Sequence, residues 1–263
     1  MEKNSDKKKI NINSNIYTIV YSIVIVIIVA VLLTIASTAL KPAQKLNIKI
    51  EKQENILKTV GKAKDAGNVK DKAAYIEQEY EKYIVESYLV GLNGNKKDGD
   101  AFTTELKAEL VKPAAERSLP IFVCQDGDSL RYVVQLYGKG LWGPIWGYVA
   151  FKSDMNTIVG VVFDHEGETP GLGAEITTEG FQTPFAGKQI FSGNNLTSIT
   201  IQKPGGTSNN HTVDGISGGT ITSRGVQTML ADNLKLYNGF FNKMKSENEN
   251  KLIETNENNT SDE

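Results

Sequence analysis

The sequence predicts an α+β fold: one domain with an antiparallel sheet and flanking helices, behind a single apolar N-terminal helix. Three observations lead there. Four runs rich in β-branched and aromatic residues follow one another closely between Leu119 and Phe163. A helical apolar stripe runs from Val226 to Met244. An uncharged stretch of Ile and Val runs fills Ile16 to Leu40. Strands in close succession favour hairpins over the crossovers of a doubly wound sheet.

The elements read in order as follows. Residues 1–15 form a short polar tail, expected to stay in the cytoplasm, and residues 16–40 exceed the ~20 apolar residues that cross a bilayer. The stretch is too long for the apolar core of a cleaved signal, and no Ala-x-Ala stands near its end. It is therefore expected to stay as a transmembrane helix. Lys3, Lys7, Lys8 and Lys9 precede it, and Lys41, Lys45, Lys49 and Lys52 follow it. The lysine balance across the span does not choose an orientation.

Residues 41–100 read as a helical stalk and the N-terminal part of the soluble domain. Asp71 to Val90 looks helical, with Ala73, Ile76, Tyr80 and Tyr83 on one side and Gly91 as the stop. Its charges (Glu77, Glu79, Glu81, Lys82) form a solvated face. Asn93 to Asp100 is a polar loop. Residues 101–245 form the main domain. A short helix around Thr103 to Val111 ends before Pro113. Strands are expected at Leu119–Cys124, Leu130–Leu136, Ile145–Lys152, Ile158–Phe163 and Leu196–Gln202. The last helix, Arg224 to Lys245, buries Val226, Leu230, Leu234, Tyr237, Phe241 and Met244, with Ser223 as its N-cap. Residues 246–263, rich in Glu and Asn, are expected to be a disordered acidic tail.

Composition narrows the function. Net charge is −2, so there is no nucleic-acid footprint. Cys124 is the single cysteine, which excludes an intramolecular disulfide and a cysteine-held metal or iron–sulfur centre. Its apolar neighbours from Leu119 onward point to a buried, inert thiol. No internal repeat and no dinucleotide fingerprint are present.

The most informative segment is Asp214-Gly-Ile-Ser-Gly-Gly-Thr-Ile-Thr-Ser223. Ser217 and Thr220 flank Gly218 and Gly219, directly ahead of a helix. Glycines allow close backbone approach, and a helix N-terminus welcomes a phosphate. The plain reading is a glycine turn that caps a core helix. A serine-hydrolase elbow also fits Gly215-Ile-Ser217-Gly-Gly219, but that fold needs its histidine after the serine, and His165 and His211 both precede it. No Gly-Lys-Ser/Thr follows, so the loop is not a Walker motif.

Asp214-x-x-Ser217-Gly218-x-Thr220 resembles the flavinylation motif of bacterial FMN-binding domains, in which the last threonine carries FMN through a phosphoester. Gly219 stands where that family usually has alanine. His165-Glu-Gly-Glu168-Thr169-Pro-Gly-Leu172-Gly173 is similar to the family's second signature. Gly140-Leu141-Trp142 leading to Trp146-Gly-Tyr148 is similar to one branch, the C subunit of the sodium-translocating NADH:quinone reductase. The resemblance extends from about Leu130 to Phe241.

The resemblance implies covalent FMN on Thr220, attached by a separate flavin transferase that uses FAD and a metal ion. A threonine hydroxyl needs a base to become a nucleophile. Leu172 is expected to pack on the isoalloxazine ring, with Glu168 and Thr169 at its polar edge or on the ribityl chain, and Trp142 closing the pocket. Lys203, late in the strand before the loop, is placed to neutralise phosphate charge. The implied role is an electron-transfer subunit that binds neither NADH nor quinone alone. It would work with the other subunits of a bacterial cytoplasmic-membrane complex coupling NADH oxidation and quinone reduction to sodium export, its soluble domain on the outer side. Two further readings stand beside it: the G subunit of the Rnf ferredoxin:NAD complex, and a membrane-anchored, non-redox binding module.

Overall fold

The computed structural model describes residues 14–260, with side chains to Asn250. The expected cytoplasmic tail at residues 1–15 falls almost wholly outside the described residues, as do 261–263. Two compact units are distinguished, Met1–Lys49 and Ile50–Glu263.

In the first unit, α1 (Asn15–Thr59) contains the helix that is long and apolar enough to cross a membrane. Its side chains from Ile16 to Ile35 are exposed, as they would be toward lipid. The helix continues to Thr59, and Ile50, Ile56 and Leu57 near its end are buried in the second unit. Gly61, with φ +76°, ends the helix: its left-handed turn lets the Lys62 amide return to the Leu57 carbonyl at 3.0 Å.

The second unit is built on one six-stranded antiparallel sheet. In chain order come α2 (Lys72–Tyr83), β1 (Ile84–Val90), β2 (Lys96–Lys97), α3 (Leu106–Leu110), β3 (Leu119–Asp126), β4 (Ser129–Lys139), β5 (Pro144–Lys152) and β6 (Ile158–His165). There follow α4 (Glu179–Gln182), β7 (Phe191–Ser192), β8 (Asn195–Leu196), β9 (Thr200–Gln202), β10 (Thr212–Asp214), α5 (Thr220–Leu236) and α6 (Asn238–Thr260). The sheet order is β2-β1-β3-β4-β5-β6. β9 and β10 form a separate parallel pair.

Alternate residues of the central strands feed cores on opposite faces. Leu119, Ile121 and Val123 of β3, and Val134 and Leu136 of β4, join one core with Val226, Leu230 and Leu234 of α5. Phe122, Cys124 and Val133 join the other with Ile56 and Val60. Burial on both faces explains why these strands read as nearly continuous apolar runs. The expected α+β class, antiparallel sheet and flanking helices are all present.

Four local expectations need correction. Asp71 does cap α2, accepting from the Ala74 amide at 3.1 Å, but Ile84–Val90 is a strand rather than the end of that helix. Pairing with β3 outweighs the local helical spacing. The stretch Leu196–Gln202 is broken by Ser198, whose φ is +60°. The last helix divides at Tyr237, where the buried phenol donates toward the Pro120 and Gln135 carbonyls, each at 3.3 Å. Its continuation, α6, makes residues 246–260 helical where composition predicts disorder. Asn248 ties that segment to the domain, its amide donating to the Ser153 carbonyl at 2.7 Å.

Candidate functional site

Three turns converge at one end of the sheet. The β4–β5 hairpin closes through the Gly140 amide on the Gly143 carbonyl at 2.8 Å, leaving Leu141 and Trp142 at its tip. Trp142 is 69 % exposed. The second turn follows β6. Pro170 and Gly171 take its central positions, Gly171 with φ +75°, and the Leu172 amide returns to the Thr169 carbonyl at 3.1 Å. Thr169 and Leu172 are exposed. The third is the glycine loop ahead of α5.

That loop starts its helix earlier than expected. Gly219 is the N-cap and Thr220 the first helical residue. Ser223, expected as the N-cap, lies inside the first turn, and its hydroxyl accepts from the Ile216 amide at 3.0 Å. The first intrahelical bond runs from the Ser223 amide to the Gly219 carbonyl at 2.9 Å. The amides of Thr220, Ile221 and Thr222 therefore precede the helical ladder. Thr220 and Ser217 are exposed, whereas Thr222 is buried. Gly218 has φ +77°, and a Cβ there would lie 2.7 Å from Leu172 Cδ2. A Cβ on Gly219 would lie 2.9 Å from Ile216 Cγ2 and 3.1 Å from the Leu172 carbonyl oxygen. Leu172 and the glycine loop are thus in direct contact.

Glu168 joins all three turns. Only 5 % exposed, it turns into the protein rather than toward the surface that carries Trp142 and Leu172. Its Oε2 accepts from the Thr222 hydroxyl at 2.6 Å and its Oε1 from the Trp142 amide at 2.9 Å. Its own amide donates to His165 Nδ1 at 3.1 Å. Burial would raise the pKa of this carboxyl. Donation from Thr222, Trp142 and Leu141 outweighs burial and holds it below its ordinary value. Gly140 and Gly173 leave room for it, since a Cβ on either would land on the carboxylate.

Asp214 has a different job. Its carboxylate accepts from Gln202 Nε2 and from the Gly205 amide, both at 2.9 Å, and these bonds hold its pKa low. It pins the Lys203–Gly206 turn beside β9. Lys203 is exposed on that turn, and no described hydrogen bond or ion pair joins its side chain to the Thr220 loop. A cavity of about 690 Å³ beside β6 is lined by Lys58, Gly160 and Gln182 among others, and by none of the expected site residues.

The exposed surface at this end of the sheet is apolar around a helix N-terminus. Leu141, Trp142, Leu172 and Ile221 are large apolar side chains left open to solvent around an exposed threonine at a helix N-terminus. Apolar side chains suit a ring's faces, and unpaired first-turn amides suit a phosphate. Of the residues expected from sequence, Trp142, Glu168, Thr169, Leu172, Ser217, Gly218, Gly219 and Thr220 come together. Asp214 and Lys203 belong to the adjoining turn. Sequence reasoning missed Thr222 and the two glycines that admit the Glu168 carboxylate. Gly140 and Gly173 were visible in the quoted motifs, but their common neighbour was not.

Comparison with known proteins places the chain in a family. A family model described as an FMN-binding domain matches residues 140–235. The chain is 33 % identical over 199 residues to the C subunit of the Na(+)-translocating NADH-quinone reductase of Haemophilus ducreyi, covering 71 % of this chain and 77 % of that protein. It is 31 % identical over 209 residues to the corresponding protein of Vibrio anguillarum, covering 73 % and 79 %. The crystal structure of the C subunit from Parabacteroides distasonis matches with a TM-score of 0.68 and 43 % identity, over 77 % of this chain and 96 % of that one. Shewanella oneidensis NqrC matches with a TM-score of 0.64 and 28 % identity, over 75 % and 98 %. The chain, a flavin-domain protein and a subunit of that enzyme complex, belongs to the family of Na(+)-translocating NADH-quinone reductase C subunits.

Proposed function

We propose that this protein carries FMN as a phosphoester on Thr220 and relays electrons within a complex that exports sodium. One observation carries the attachment site. Of the two threonines at the start of α5, Thr220 is exposed beside Leu172 and the unpaired first-turn amides, while Thr222 is 1 % exposed and already bonded to Glu168. Bound FMN supplies reversible one- and two-electron chemistry. The chain's part is to hold and cover it. Thr220 holds the phosphate end, the amides of Ile221 and Thr222 donate toward the phosphate, and Leu172 and Trp142 shield the ring from water. Ser217 and the glycines shape the loop, Glu168 and Thr169 support the ring-side turn, and Lys203 adds positive charge nearby.

No described hydrogen bond joins the Thr220 hydroxyl to a side chain that could take its proton, and we assign its activation to a separate flavin transferase. In that transfer the Thr220 oxygen forms a bond to the FMN phosphorus of FAD. The P–O bond to AMP breaks, AMP departs, and the hydroxyl proton goes to a base on the transferase.

Residues 16–40 are read as the anchor, 41–100 as the link and the domain's first part, and 101–245 as the flavin domain, on the outer side of the cytoplasmic membrane. The test is expression of the full chain with and without a flavin transferase. In-gel flavin fluorescence should depend on the transferase, and peptide mass spectrometry should find one FMN on Thr220. An adduct on Thr222, or none with a competent transferase, refutes the reading. A reporter fused after Lys245 should behave as exported, and a cytoplasmic signal refutes the orientation.

A further inference from the structure

The second threonine of the loop is buried, yet it is one of the most tightly engaged side chains at the site. Thr222 is 1 % exposed, and its hydroxyl donates to Glu168 Oε2 at 2.6 Å. The other oxygen of the same carboxylate takes the Trp142 amide at 2.9 Å. A Cβ on Gly173 would lie 2.5 Å from Thr222 Oγ1, so the turn behind Leu172 closes directly over this bond. One buried carboxylate therefore ties together the helix that presents Thr220, the turn that presents Leu172 and the hairpin tip that presents Trp142.

We propose that Thr222 is a positioning residue for the flavin, acting through Glu168. The proposal rests on attachment at Thr220. A group tethered only at its phosphate keeps the torsional freedom of its linker. Its ring is held in one place only if the apolar side chains that grip it stand at a fixed distance from the tether. Thr222 and Glu168 set that distance. The bond spans 54 residues of sequence, and its donor and acceptor are both shut off from competing water. Burial also removes Thr222 as a rival acceptor of FMN, so one side chain both leaves Thr220 the accessible threonine of the pair and registers the pocket around it.

The test uses the full chain with Thr222→Val, which keeps the shape and removes the donor, and Thr222→Ser, which keeps the donor. Each is made with and without the transferase. In the unflavinylated protein, Thr222→Val should speed hydrogen exchange at Leu141 and Trp142 on the order of tenfold, with Thr222→Ser near wild type. In the flavinylated protein the adduct should still map to Thr220. The visible circular dichroism of the flavin should fall by about half in Thr222→Val, iodide quenching should rise about twofold, and Thr222→Ser should restore both.

Unchanged exchange in Thr222→Val overturns the latch. Faster exchange with an unchanged flavin signal makes the bond merely structural and also overturns the proposal. Wild-type protein without an adduct on Thr220 sinks the attachment reading and this inference together. An adduct on Thr220 with unaltered signals in Thr222→Val sinks this inference alone.

Discussion

Replacing Glu168 with alanine strips the acceptor from the buried Thr222 hydroxyl and from the partly buried Trp142 amide. A buried donor left unpaired costs about 1–3 kcal/mol and a partly buried one less, so the variant should lose about 3 kcal/mol in total. Glu168→Gln keeps the shape. Its carbonyl oxygen can still accept from Trp142, and its amide can donate to Thr222 once that hydroxyl turns, so only the charge assistance is lost, about 1 kcal/mol. Urea unfolding of the full chain in detergent micelles, followed by the fluorescence of Trp142 and Trp146, measures both. The dependence on pH supplies an independent check. Glu168 has a folded-state pKa below its ordinary 4.5, so its contribution is fully present above that value and is lost as pH falls through the lower, folded pKa. The gap between wild type and Glu168→Gln should therefore be widest near neutrality and close in acid. A loss under about 0.5 kcal/mol in Glu168→Ala, the level of an ordinary surface change, would refute the idea that this carboxylate holds the site together.

Other perturbations probe separate parts of the site. Leu172→Ala should leave the flavin on Thr220 but open the ring to iodide; unchanged quenching would remove Leu172 from the pocket. Gly218→Ala forces a side chain into φ +77° and against Leu172, and should cost about 1–2 kcal/mol in the same urea assay. Asp214→Ala should speed exchange of the Gly205 amide, because that amide loses its acceptor; an unaltered rate would mean the turn holds itself. Cys124 is fully buried, and burial pushes its thiol up to about 11. Iodoacetamide at pH 8 should therefore spare it in the native chain and modify it in urea, as mass spectrometry of the intact protein will read.

Local patterning determined a good deal of this protein. An uncharged apolar run needs no partner to declare a helix long and apolar enough to cross a membrane, because its length and composition alone carry that signal. β3 to β6 were legible because β-branched runs separated by turn residues form hairpins with their sequence neighbours, here within a few residues of their expected bounds. The glycine loop ahead of α5 was legible as a loop because Ser217-Gly-Gly-Thr220 lies in contiguous residues directly before a helical stripe. Only the tertiary structure decided the rest. Ile84–Val90 carries helical spacing and became a strand because β3, more than thirty residues later, offered it an edge. The apolar stripe beyond Val226 continues unbroken through Tyr237, yet the helix divides there, where the phenol meets carbonyls of β3 and β4. The resemblance places Glu168 at the polar edge of a flavin ring or on its ribityl chain. Glu168 faces inward because Thr222 and Trp142, distant in the chain, bring it donors that no local pattern records, and a buried carboxylate is stable only where such donors meet it.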